Sequence, residues 1–121
     1  MPVRKILVVD DSATNRHYLT ELLKRHGYQC TVAMTGKEAI EKAKSEKPDL
    51  ILMDVVMPDM DGYQATRTIT RDEETKDIPV ILCTSKSQET DKLWGLRQGA
   101  KSYVLMPVDE KDLLSKITAV G

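Results

Sequence analysis

The chain has 121 residues, a size that suits one domain with a modest core, and the whole of 1–121 reads as a single unit with no linker and no internal repeat. Charged residues make up 31%, yet the formal net charge is −1, which excludes a bulk electrostatic pull toward nucleic acid or an anionic membrane surface. No apolar stretch approaches the ~20 residues of a membrane span and the N-terminus has no apolar signal segment, so the expectation is a cytoplasmic protein with no attached output domain.

Residues 4–9 form an apolar run, a strand that ends at the acidic pair Asp10-Asp11. Ser12 suits the cap of a helix over about 13–26, with Leu19, Leu22 and Leu23 on one face. Gly27 suits its stop. Residues 28–33 mix β-branched and apolar types, a short strand. Thr35-Gly36-Lys37-Glu38 has capping-box form, ahead of a helix to about 46 with Ala39, Ile40 and Ala43 facing in. Pro48 breaks that helix, and 49–53 is a second strongly apolar strand, ending at Asp54. The run Met57-Pro58-Asp59-Met60-Asp61-Gly62 is a loop of turn formers before a helix over about 63–71. Residues 72–77 are a polar connector. Pro79 opens the strand Val80-Ile81-Leu82-Cys83, with Thr84 at its end. A helix over about 87–98 stops at Gly99, and 102–105 is a short last strand. Asp109 caps a final helix that turns Leu113, Leu114 and Ile117 inward.

Five strands alternating with five helices argue for a doubly wound α/β fold, a parallel sheet covered on both faces. In such sheets the functional crevice lies at the carboxyl ends of the strands, where strand order reverses. Asp10, Asp11, Asp54, Thr84 and Met106 stand at those ends. Three carboxylates brought to one place repel unless a cation shares them. The pattern therefore points to a divalent-metal site with a carboxylate free for chemistry. Cys30 and Cys83 have no Cys or His at ligand spacing and read as core residues. His17 and His26 have no partner in sequence and read as exposed helix histidines.

Four separated pieces resemble, in order and spacing, the receiver domain of two-component response regulators. They are Val-Val-Asp10-Asp11-Ser, the Asp54 run Met-Asp-Val-Val-Met-Pro-Asp-Met-Asp-Gly, Thr84 after Val-Ile-Leu-Cys, and Gly99-Ala100-Lys101-Ser102-Tyr103 followed by Pro107. The match covers essentially the whole chain. The stretch from Gln88 to Ala100 and the Pro-Val-Asp-Glu after it further resemble the stand-alone regulators of type IV pilus twitching motility, the PilH type.

The resemblance implies a (βα)5 fold of flavodoxin-like strand order 2-1-3-4-5 and a single-domain regulator, monomeric or weakly dimeric. It implies that Asp54 takes a phosphoryl group from a histidine kinase or phosphotransfer domain. Asp11, Asp54 and the Val56 carbonyl would bind Mg²⁺, with Asp10 acting through water, a donor set of hard oxygens that suits this ion. Thr84 would donate its hydroxyl to a phosphoryl oxygen, and Tyr103 matches an aromatic switch that rotates inward when the threonine moves. The output face would be made by the last two helices and the last strand, including Trp94 and Tyr103, and would engage a downstream protein in pilus motility or chemotaxis. No enzyme activity is implied beyond self-phosphotransfer and dephosphorylation. Taken alone, Thr84 also reads as a strand-end hydroxyl, Tyr103 as sheet packing, and Trp94 as helix packing.

Met106 departs from the family, which carries a lysine before this proline. With three aspartates and one Mg²⁺ the site sums to about −1, where a lysine would bring it to about zero. A thioether supplies neither charge nor N–H. Slower phosphoryl uptake and weaker coupling to the switch follow as expectations, with Lys86 in the loop beside the site as a substitute cation. The other function class is a pseudo-receiver, an interaction module that no longer signals by phosphate. A haloacid-dehalogenase-like phosphatase would want Asp-x-Asp after its first strand, and a flavin binder a phosphate loop there; adjacent acids suit neither.

Overall fold

The computed structural model describes residues 2–120. Its elements run β1 (Lys5–Val9), α1 (Ala13–Arg25), β2 (Gln29–Ala33), α2 (Gly36–Glu46), β3 (Leu50–Met53), α3 (Gly62–Arg71), β4 (Val80–Thr84), α4 (Glu89–Arg97), β5 (Ser102–Leu105) and α5 (Glu110–Val120). The five strands pair in the order β2-β1-β3-β4-β5, every pair parallel. That is the doubly wound, flavodoxin-like arrangement expected from the sequence.

Side chains alternate across each strand, and the alternation sorts the helices. Leu7, Val9, Ile51, Met53, Val80 and Leu82 point to one face, where Ala39 and Ala43 of α2 and Ala65 and Ile69 of α3 cover them. Ile6, Val8, Leu50, Leu52, Ile81 and Cys83 point to the other, under Leu19, Leu22 and Leu23 of α1 and Leu113 and Ile117 of α5. Central strands buried on both faces explain why the first, third and fourth read as unbroken apolar runs rather than alternating ones.

Side-chain caps fix where four helices begin. Ser12 accepts from the Asn15 N–H at 3.3 Å, Thr35 from Glu38 at 3.0 Å, and Asp61 from Gln64 at 2.9 Å. Asp109 accepts from Lys111 at 3.1 Å at the head of α5. The capping box at α2 closes one residue early, since the Glu38 carboxylate accepts from Met34 N–H at 2.6 Å. α4 lacks such a cap: its preceding residue, Gln88, makes no side-chain hydrogen bond to the helix. Among the described residues no helix is long and apolar enough to cross a membrane.

Candidate functional site

Register decides what stands at the sheet's carboxyl edge. Val9 pairs with Met53, so β1 and β3 end side by side, while Met53 pairs with Leu82 and β4 runs two residues further to Thr84. The next residue in each of the first two strands is an aspartate. The Asp54 N–H donates to the Val9 carbonyl at 2.9 Å, and the Asp10 N–H to the Ala33 carbonyl at 3.1 Å, which extends the ladder one step past the strands. One carboxylate oxygen from each of Asp10, Asp11 and Asp54 lies within 4.8 Å of the others. Asp10 is buried, Asp54 half-buried and Asp11 exposed, so the cluster is a shallow cup open on one side.

The charges in this cup oppose one another. Burial raises the Asp54 carboxyl to about 7, with the neighbouring Asp10 and Asp11 charges pushing the same way against the N–H groups of Val55 and Val56. Asp10 is also raised, chiefly by burial, although it accepts the Ser12 N–H at 2.9 Å. A divalent cation in the cup would offset this mutual repulsion as a proton does. The donors are hard oxygens, and the open side leaves room for the waters that Mg²⁺ retains, so this residue set fits the ion the sequence led us to expect.

The remaining expected residues fall around the cup. Thr84 is buried at the end of β4, and its hydroxyl oxygen accepts from the Lys86 N–H at 3.3 Å, which leaves its O–H to donate. Val56 follows Asp54 in the loop with an exposed side chain. The Lys86 side chain is exposed too; the bonds the structure gives Lys86 come from its backbone, whose carbonyl accepts the Tyr103 hydroxyl at 2.8 Å.

Tyr103, expected as an aromatic switch and as part of the output face, stands with its ring turned inward and 7% exposed. It contributes to that face as one wall of a cavity of about 350 Å³ between α4, β5 and α5, which Lys92, Leu105, Pro107, Asp112 and Lys116 also line. Trp94 is 49% exposed on α4, in keeping with a surface role.

Met106 is half-buried against the α1/α5 layer, and its sulfur accepts from the Cys83 thiol at 3.7 Å. Its N–H donates to the Thr84 carbonyl at 2.8 Å. Its peptide bond to Pro107 is cis. Cys83 is a core residue, as expected: burial pushes its thiol up to about 12, which makes it inert at neutral pH. Cys30 is half-buried and also free.

Three contributors were not expected from the sequence. Arg16, one helical turn into α1, donates to the Asp10 carbonyl at 2.8 Å and its charge partly offsets the rise in Asp10. Gly62 packs its Cα so tightly on the Asp54 backbone that a Cβ would lie 2.0 Å from the Asp54 carbonyl oxygen. Its N–H donates to the Val55 carbonyl at 2.8 Å. His26, expected as an exposed histidine at the end of the first helix, is exposed there and also meets Glu110 of α5 at 2.6 Å, which holds the Glu110 carboxyl below its usual range. Only the Asp-Gly turn at 61–62 gave a signal in sequence; the Arg16 contact is local to the β1–α1 junction, and the His26 contact joins residues whose proximity depends on helix packing.

Comparison with known proteins agrees with this geometry. Residues 6–118 match the response regulator receiver domain. The chain is 53% identical to the protein PilH of Pseudomonas aeruginosa over 116 residues, 96% of each chain. It is 38% identical to the phosphate regulon transcriptional regulatory protein PhoB of that organism, matching 97% of this chain but only 51% of PhoB. A chain in the crystal structure of the CheX–CheY–BeF3–Mg²⁺ complex from Borrelia burgdorferi superposes with a TM-score of 0.90 at 28% identity, covering 97% of this chain and 88% of that one. The protein belongs to the response regulator receiver domain family.

Proposed function

We propose that Asp54 is the phosphoacceptor of a signalling switch that a histidine kinase or phosphotransfer domain loads and a partner protein reads. The observation that carries this is the convergence of the Asp10, Asp11 and Asp54 carboxylates, within 4.8 Å, at a sheet edge that also ends in the Thr84 hydroxyl. An Asp54 carboxylate oxygen attacks the phosphorus of a phosphohistidine. The P–N bond breaks, and its electron pair leaves on the imidazole, which takes up a proton. Asp11, Asp54 and the Val56 carbonyl would hold Mg²⁺, with Asp10 acting through water, and the ion would supply positive charge to offset that on the phosphoryl oxygens. Thr84 donates its hydroxyl to one of those oxygens. No reaction is catalysed beyond the chain's own phosphorylation and dephosphorylation.

The likeness to PilH supports a role in type IV pilus motility, and the CheX–CheY complex supports readout by a protein partner. The face of α4, β5 and α5 that carries Trp94 and Leu105 is the surface we assign to that partner. The relatives matched are response regulators, which gives no support to a pseudo-receiver. The test is incubation with acetyl phosphate, with and without Mg²⁺, followed by Phos-tag electrophoresis of this chain and of Asp54→Ala. A shifted band that needs both Mg²⁺ and Asp54 is expected; a Mg²⁺-independent band, or one that survives in Asp54→Ala, overturns the assignment.

A further inference from the structure

α4 is the helix least committed to the core. Of its residues only Gly95 is buried, while Leu93, Trp94 and Leu96 are all exposed. Its first turn has no side-chain cap. Two tyrosines are among the groups that hold it.

A Cβ on Gly95 would lie 2.5 Å from Leu82 Cδ1, 3.3 Å from Tyr63 Cε1 and 3.4 Å from Tyr103 Cδ2. The helix backbone thus rests directly on both rings, which the absence of a side chain at Gly95 permits. The two hydroxyls then bond the backbone at two points early in the segment after β4. Tyr103 donates to the Lys86 carbonyl at 2.8 Å, in the loop before the helix. Tyr63 donates to the Asp91 carbonyl at 3.2 Å, inside the first turn of α4. Both rings are largely buried, Tyr63 9% and Tyr103 7% exposed.

The tyrosines belong to different paths from the acidic cup. Tyr103 stands on β5 and joins the cup through Lys86, whose N–H bonds the Thr84 hydroxyl at 3.3 Å. Tyr63 stands on α3, next to Gly62, the residue packed on the Asp54 carbonyl and bonded to Val55. The first path runs from the strand-end threonine, the second from the backbone of the phosphoacceptor. With Met106 in place of a cation just after β5, the second does not depend on the position where this chain departs from its family.

We propose that Tyr63 is a positioning residue, a second tether that couples the Asp54 backbone to α4 in parallel with Tyr103 and sets how far α4 moves when Asp54 is modified. The coupling part rests on Asp54 being the phosphoacceptor. The tether itself does not.

The test uses the whole chain and Tyr63→Phe, which keeps the ring under Gly95 and removes only the hydroxyl. Amide hydrogen exchange without any phosphodonor should quicken about fivefold in the first turns of α4, the factor that a net hydrogen bond confers, with α1 and α5 unchanged. With Mg²⁺ and acetyl phosphate, Phos-tag labelling should stay within about twofold of wild type. The fluorescence change of Trp94, the one tryptophan of the chain and itself in α4, should shift by at least about twofold in amplitude. Tyr63→Leu, which loses the ring as well, should move both readouts further. Unchanged α4 exchange in Tyr63→Phe, or a Trp94 response equal to wild type at equal labelling, overturns the proposal. If the wild type itself fails to label, the phosphoacceptor reading and the coupling fall together, and the exchange measurement still decides the tether.

Discussion

Asp54 is held at an energetic cost to the fold, and replacing it with Asn should reveal that cost. Its carboxyl rises from 3.8 to about 7, by burial first and then by the charges of Asp10 and Asp11. A shift of about three pKa units at 1.36 kcal/mol each sets a ceiling near 4 kcal/mol. The group is only half-buried and solvent screens it, so about 1–2 kcal/mol is the expected magnitude. A carboxyl whose folded pKa lies above its unfolded one favours the fold fully below the unfolded value. That stabilisation is lost as pH rises, from about 4 until the folded value near 7 is passed. In EDTA at pH 8, Asp54→Asn should therefore melt about 3–8 °C above wild type, with the gap vanishing near pH 4. Added Mg²⁺ should raise the wild type at pH 8 and the variant much less. Thermal melts from pH 4 to 8, with and without Mg²⁺, make the measurement. A variant no more stable than wild type at pH 8, or a gap that ignores pH, would falsify the electrostatic account of the cup.

Other substitutions probe its construction. Gly62→Ala should destabilise by about 3 kcal/mol or more in urea unfolding, because its Cβ would lie 2.0 Å from the Asp54 carbonyl oxygen, where neither backbone can yield. Met106→Lys should raise Asp54 labelling or lengthen the phosphorylated lifetime by restoring the missing positive charge; if neither changes, the charge count at this site is irrelevant to its rate. Lys86→Ala should lower labelling severalfold if its exposed ammonium reaches a phosphoryl oxygen, and an unchanged yield removes it as the substitute cation. Thr66→Val should stabilise by about 1 kcal/mol in the same unfolding assay, since the Thr66 hydroxyl is fully buried and makes no hydrogen bond.

Much of the fold was legible because its signals are local. Apolar runs gave the inner strands, and Ser12, Thr35 and Asp109 marked helix starts that side-chain hydrogen bonds then confirmed. The ends of α4 were harder, expected over about 87–98 and found over Glu89–Arg97. Its apolar residues follow no single face, since tyrosines from other elements rather than its own periodicity hold it down. Asp10, Asp11 and Asp54 were legible as a cluster because each follows a strand and parallel strands share an end.

The sequence by itself determined the order of elements, the acidic triad and the absence of a lysine before Pro107. Each depends on residue type and on spacing along the chain. Tertiary structure alone decided the rest: the inward turn of Tyr103, the Met106–Cys83 sulfur contact, the Glu110 partner of His26, and the seating of α4 on Tyr63. Those contacts join residues on different elements. They depend on how helices dock on the sheet and on which rotamer fills the space between them, and no local pattern encodes that.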